Sequence, residues 1–263
     1  MKLSYFQLLT PTPIYMPRVG GILCPKLQDI ADIGGEEVYN YYLHILLLDA
    51  QKLYAMRNQS EIYEAMSDDV KQQIDIYDVL TENEQDAKVL QTALSFFFKE
   101  DIEYSPEYRA FAVKGNAMVK EGDELVEKYV TIGVISNENY HEVVDVICQR
   151  NNIKTKDIAD PSTVKNKKAL AILKKLKKGR EEMAKVSKTD KNMELGNIIS
   201  AVANRSQSLN ITNIWDLTVF QLWDSFARLT NNNVYDINAA SVSAWGDKDK
   251  KFDFNGWYKK LSD

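Results

Sequence analysis

Cysteine and histidine are nearly absent. Cys24 and Cys148 are the only thiols and His44 and His141 the only imidazoles among 263 residues, so the side chains that most often bind zinc or carry general acid–base catalysis are in short supply. Neither cysteine lies in a CxxC pair, which argues against a disulfide framework or redox motif and fits a reducing compartment. The glycines form only the isolated pairs Gly20-Gly21 and Gly34-Gly35, too sparse to line a phosphate with backbone amides. HExxH, GxSxG, GxGxxG and the Walker-type phosphate loop do not occur. The longest strongly apolar stretch, Tyr39 to Ala50, includes His44 and Asp49 and falls short of the ~30 Å hydrocarbon layer. Met1 to Thr10 lacks the length and cleavage site of a secretory leader. The expectation is a cytoplasmic protein with no cofactor and no membrane partner.

What is present is enough to fold. With 44% hydrophobic and 27% charged residues, the chain can bury a substantial core as one large domain or two smaller ones. Four of the six prolines fall at Pro11, Pro13, Pro17 and Pro25, which predicts an extended arm or hairpin rather than a continuous helix. Leu27, Ile30 and Ala31 then recur at helical spacing up to Gly34-Gly35, and Glu36 opens a second helical run. Short helical segments are expected between Ser60 and Leu80. Thr81 and Glu84 have the spacing of a capping box, with Leu90, Ala93, Leu94 and Phe97 as the buried stripe of the helix that follows.

The period then changes. Tyr108 to Val113 and the alternation around Val126, Val130, Ile132 and Val134 predict a small antiparallel β element with a turn at Gly122-Asp123, although Glu121 to Lys128 also fits a helix. Helices are expected over Asn137 to Asn151, after Pro161-Ser162, and over Leu195 to Val202. Thr218 and Gln221 form a second capping box opening a helix that Asn231-Asn232-Asn233 should end. Its apolar face is Val219, Leu222, Trp223, Phe226 and Leu229. The reading is a mainly α fold with a small antiparallel β element (α+β), a multi-helix globular body. It divides into an N-terminal body over 1–135, with the arm and the β element, and a helical C-terminal body over 136–263.

Charge is segregated along the chain. From Val164 to Lys191 eleven Lys and Arg face three acids, giving +8, while the remainder carries −13. Ala169, Ile172, Leu173, Leu176 and Met183 share one helical side, and Lys167, Lys174, Lys175, Lys178 and Lys185 the other. That cationic face is the candidate partner-binding surface. An acidic protein, or self-association with the acidic remainder, suits it better than nucleic acid, because arginine and interleaved aromatics are scarce there. The simpler alternative is a solvated face. Glu138, His141, Asp145 and Cys148 lie three, four and three apart along one helical flank and can be read as a Cys–His–Asp relay or metal site. A single helix face seldom supplies the geometry of a cleft, and a polar helix edge with a half-buried cysteine is the simpler reading. His44 reads as a core or boundary residue. The acids Asp68-Asp69, Asp247 and Asp249 lack the spacing of a calcium loop.

Two segments, YFQLLTPTPIYMPRVGGILCPKLQDI from Tyr5 to Ile30 and NIWDLTVFQLWDSFARL from Asn213 to Leu229, resemble proteins of the tail-morphogenesis modules of tailed bacteriophages. The second is similar to the capped helix of tail-assembly-chaperone-type proteins. The resemblance implies a non-enzymatic, mainly helical protein of the host cytoplasm that coats helical segments of the tape-measure protein and recruits tail-tube subunits. A structural virion connector or tail-completion protein, and a phage inhibitor of a host defence protein with an acidic nucleic-acid-mimicking surface, are the alternatives.

Overall fold

The prolines and glycines of the first 25 residues separate short elements. In the computed structural model, which describes residues 1–121, 124–153, 191–247 and 250–261, Ser4 caps a one-turn helix, α1 (Tyr5–Leu9), through a reciprocal box with Gln7. The extended reading of this arm missed that turn because the Ser4–Gln7 box precedes Pro11 and escapes its restriction. Strands β1 (Ile14–Met16) and β2 (Gly20–Ile22) then form the hairpin. Contacts divide the chain into two compact units, Met1–Ile153 with Trp215–Gln221, and Lys154–Ile214 with Leu222–Asp263.

In the first unit, α2 (Leu27–Asp32) and α3 (Glu36–Leu46) follow as the glycine pair predicts, and α4 (Ala50–Met56), α5 (Ser60–Ala65), α6 (Asp68–Gln73) and α7 (Ile76–Glu82) are short. The long helix α8 (Glu84–Phe97) is capped by Asn83, whose carbonyl Oδ1 accepts the Gln85 amide at 2.8 Å. Thr81 is not the cap, because α7 runs on through it and its hydroxyl donates to the Tyr77 carbonyl one turn back at 2.8 Å. The expected stripe is right: Leu90, Ala93, Leu94 and Phe97 have no exposed surface. Each large side chain in it contributes roughly 1.5–3 kcal/mol by leaving water.

The strands β3 (Asp101–Ser105), β4 (Ala110–Glu121) and β5 (Glu124–Ile135) make an antiparallel sheet in that order. Glu124 to Lys128 is therefore strand rather than helix, its partners running from Glu121 to Ala117. The turn expected at Gly122-Asp123 lies outside the described residues. β3 begins opposite Lys114 and runs back toward Ala110, so the pairs from Gly115–Val130 to Glu121–Glu124 form a ribbon of two strands only. Where the ribbon leaves the sheet, the register shifts between Val113 and Lys114. There the Arg18 carbonyl takes the Val134 amide at 2.9 Å. Gly133 permits that approach, since a Cβ would overlap the Val19 carbonyl.

Helix α9 (Asn137–Arg150) buries Tyr140, Val143, Val144 and Ile147 as expected and belongs to the first unit. It also fastens the N-terminal arm. Arg150, fully buried, donates to the carbonyls of Gln7 (2.6 Å), Thr10 (2.9 Å) and Thr12 (2.9 Å). Gln149 accepts the Leu3 amide and donates to the Met1 carbonyl, both at 2.8 Å. Gln221 adds a bond to the Leu9 carbonyl at 2.8 Å.

In the second unit, α10 (Leu195–Arg205) turns Leu195, Ile198, Ile199, Val202 and Ala203 inward. Thr218 and Gln221 form the expected box, Gln221 Oε1 accepting the Thr218 amide at 2.9 Å and Thr218 Oγ1 the Gln221 amide at 3.3 Å. The helix they open, α11, runs Val219–Trp245 and passes straight through the three asparagines. Two of them are engaged by side chain: Asn231 Nδ2 donates to the Gly256 carbonyl at 2.9 Å, and Asn233 Oδ1 accepts from Arg205 at 2.5 Å. The helix is not interrupted because these amides find partners beyond their own backbone, the competition that otherwise makes asparagine a stop signal.

Candidate functional site

Lys167, Lys174, Lys175, Lys178 and Lys185, the sequence's candidate binding face, lie outside the described residues, as does Asp249. The flank of α9 is described, and its members do not converge. His141 Nε2 meets Asp75 Oδ2 at 2.9 Å, and Asp75 is held by the Tyr77 amide as the cap of α7. Asp145 accepts from Gln149 at 2.8 Å. Cys148 is buried, and burial followed by the Asp145 charge pushes its thiol up to about 12, so it is protonated at neutral pH and a poor nucleophile. No group of His, Cys, Asp and Glu among the described residues could hold a metal ion. His44 points to solvent from α3 rather than into the core.

Two clefts on the described surface bear on function. In the first unit, a cleft of about 500 Å³ is lined by Lys99, Glu100, Asp101, Lys114, Tyr129 and their neighbours. Glu100 forms its floor by accepting the Gly21 amide at 2.8 Å, and a Cβ at Gly20, Gly21 or Gly115 would crowd that carboxylate or its stem. Lys99 donates to the Tyr15 hydroxyl at 2.9 Å and Tyr129 to Asp101 at 2.5 Å, while Lys114 pairs with Glu103. The lining carries Lys99 and Lys114 against Glu100, Asp101 and Glu127, each of the first four already engaged by a hydrogen bond or ion pair of its own.

In the second unit, a cleft of about 410 Å³ opens between α11 and the segment that follows it. The segment is folded back by specific bonds. Asp247 accepts the Lys251 and Phe252 amides at 3.1 and 2.8 Å, Tyr235 donates to the Phe254 carbonyl at 3.2 Å, and Arg228 to the Lys259 carbonyl at 2.8 Å. The Tyr235 and Phe252 rings meet at a tilt with centroids 5.4 Å apart, and Phe252 meets Phe254, and Trp257 meets Tyr258, edge to face at 4.9 Å each. Apolar side chains nonetheless face water: Phe254 is 71% exposed, with Trp257 and Tyr258 each more than half exposed. The backbone of Trp257 and Tyr258 makes a single 3₁₀ turn that leaves both rings about half exposed. All four tryptophans fall after residue 214, but only Trp257 lies in this segment, so their concentration did not mark the surface.

Residues 187–262 match the YomV second domain family. That family is phage-derived. The match takes in α10, the whole of α11 and the aromatic segment that follows it. Comparison with curated proteins and with solved structures gave no match. No described helix is long and apolar enough to cross a membrane.

Proposed function

We propose that the chain is a non-enzymatic phage morphogenesis factor of the tail-assembly-chaperone kind, acting by reversible binding of an apolar helical stretch of a tail protein such as the tape-measure protein. The observation that carries this reading is the cleft lined by Val234, Val242 and Phe252, together with the exposed rings of Phe254, Trp257 and Tyr258 on the segment that forms its other wall, inside the stretch that matches the YomV second domain. A cleft that size accommodates two or three side chains, which is the footprint of successive anchors on one face of a helix. The rim supplies Asp253, Lys251 and Lys259 for the polar side of the same client. The cationic face over 164–191 would add selection for acidic clients.

The test is titration of the full chain with fragments of a phage tape-measure protein. Phe254→Ala and Trp257→Ala should each weaken binding about tenfold, the usual effect of truncating an aromatic anchor. Absence of binding, or affinity indifferent to both changes, overturns the proposal. The two-stranded ribbon of β4 and β5 favours a second reading, a virion connector that adds strands to neighbours. That reading requires the chain in purified particles, whereas a chaperone is confined to the infected lysate.

A further inference from the structure

One edge of β4 is used along only part of its length. β3 begins at Asp101, opposite Lys114, and the same edge continues through Gly115–Glu121 with no neighbouring strand. Among the described residues, no backbone group bonds to it on that side. Edges left open to water are commonly guarded by proline or by several charges. Between Gly115 and Lys120 this one has no proline and a single lysine. The cleft of about 500 Å³ opens at the junction, lined by Lys99, Glu100 and Asp101, which lead into β3, and by Lys114, Gly115 and Asn116, where β4 runs on beyond it. Both faces of the ribbon beside this edge carry apolar side chains. On one, Glu127 has Met118 opposite and Leu125 and Tyr129 two residues to either side, all three more than half exposed. On the other, Ala117, Val119 and Val126 are half-buried. Glu127 has no bond to another described residue, whereas the other four charged residues of the cleft do.

We propose that this edge receives an extended segment of a partner protein as an added strand in line with β3, and that the segment carries a lysine or arginine beside Met118. The backbone fixes the class of ligand, since only an extended chain presents amides and carbonyls at the spacing of β4. An apolar face alone makes no such choice. The side chains fix the rest. On the face of Glu127, a long basic side chain lays its stem on Met118 and brings its charge to the free carboxylate. On the other face, β-branched residues fit beside Ala117 and Val119. The outer edge of β5 is a poorer acceptor, with Glu124, Glu127 and Lys128 among five residues. A third strand also relieves the marginal stability of a bare ribbon.

The proposal does not depend on the cleft beside α11, and its test touches no residue of the second unit. The probe is the capped peptide Thr-Val-Lys-Val-Lys-Val-Thr, added at about 1 mM to the full chain while amide exchange is followed by NMR. Amides of Gly115–Glu121 that point away from β5 should slow at least ~10-fold. Methylating the peptide's valine nitrogens, or those of its other residues, separates a ladder from loose adhesion. One set should abolish the slowing and the other preserve it, because alternate amides of a strand face its neighbour. Glu127→Gln should weaken binding of this peptide about threefold, the scale of an exposed ion pair, and leave binding of Thr-Val-Thr-Val-Thr-Val-Thr unchanged. No slowing at that concentration, equal effects of the two methylated sets, slowing along the outer edge of β5 instead, or indifference to Glu127→Gln overturns the proposal. So does slowing of the same amides when the chain alone is concentrated, which gives the edge to a second copy.

Discussion

Arg150 holds a charge inside the first unit and gives it to backbone alone, three carbonyls of the arm. Burial lowers the pKa of its guanidinium, and the Cys24 sulfur beside it works the other way. A planar fork with five donors suits three carbonyls fixed around it, where a lysine ammonium would meet fewer. Replacing it with methionine leaves those carbonyls unpaired in a dry site, at a cost of about 3 kcal/mol. The urea midpoint of Arg150→Met should fall accordingly, with Gln7–Thr12 becoming susceptible to protease, and Arg150→Lys should lie between it and the native chain. An unchanged midpoint would mean that the arm is held by its other bonds. Nothing in the sequence marked Arg150, since it reads as the basic residue that commonly ends a helix. Its partners lie about 140 residues away.

Elements were legible where a local signal decided them. The apolar stripe of α8, the box at Thr218 and Gln221, and the alternation in β5 each fix structure within a few residues. The misses came from competition between signals of equal strength. Thr81 and Asn83 are both good caps, and α7 had already claimed the Thr81 hydroxyl for its own carbonyl. Asn231 to Asn233 could not be told from a terminus without knowing that Arg205 and Gly256 are near. The length of the ribbon was equally hidden, because alternation in a half-buried strand and in a bare hairpin look alike. A two-stranded ribbon is marginal in water. Amides from Asn116 to Lys120 should therefore exchange with deuterium within seconds to minutes, while those of Phe111 and Val113, between β3 and β5, stay protected through global unfolding. Equal protection along β4 would mean that the outer strands are covered.

At the scale of the whole molecule, little of the candidate site was legible. The aromatic C-terminal segment stood out by composition, but the cleft beneath it depends on Asp247 and Tyr235 folding that segment back, which no spacing announced. The basic stretch was the loudest signal in the sequence, +8 against −13 for the remainder. Two uses for it make opposite predictions about salt. If Lys167, Lys174, Lys175, Lys178 and Lys185 engage an acidic client, screening weakens the complex, and raising salt from about 50 to about 500 mM should cost roughly tenfold in affinity as the Debye length falls below the separation of surface charges. If they are instead neutralised by this chain's own acids, salt leaves client binding unchanged or releases the lysines and tightens it. The triple change Lys174→Glu, Lys175→Glu and Lys178→Glu separates the two, flattening the salt dependence in the first case and leaving it alone in the second. Salt-indifferent binding that still requires Trp257 would retain the cleft and remove the cationic face from the mechanism.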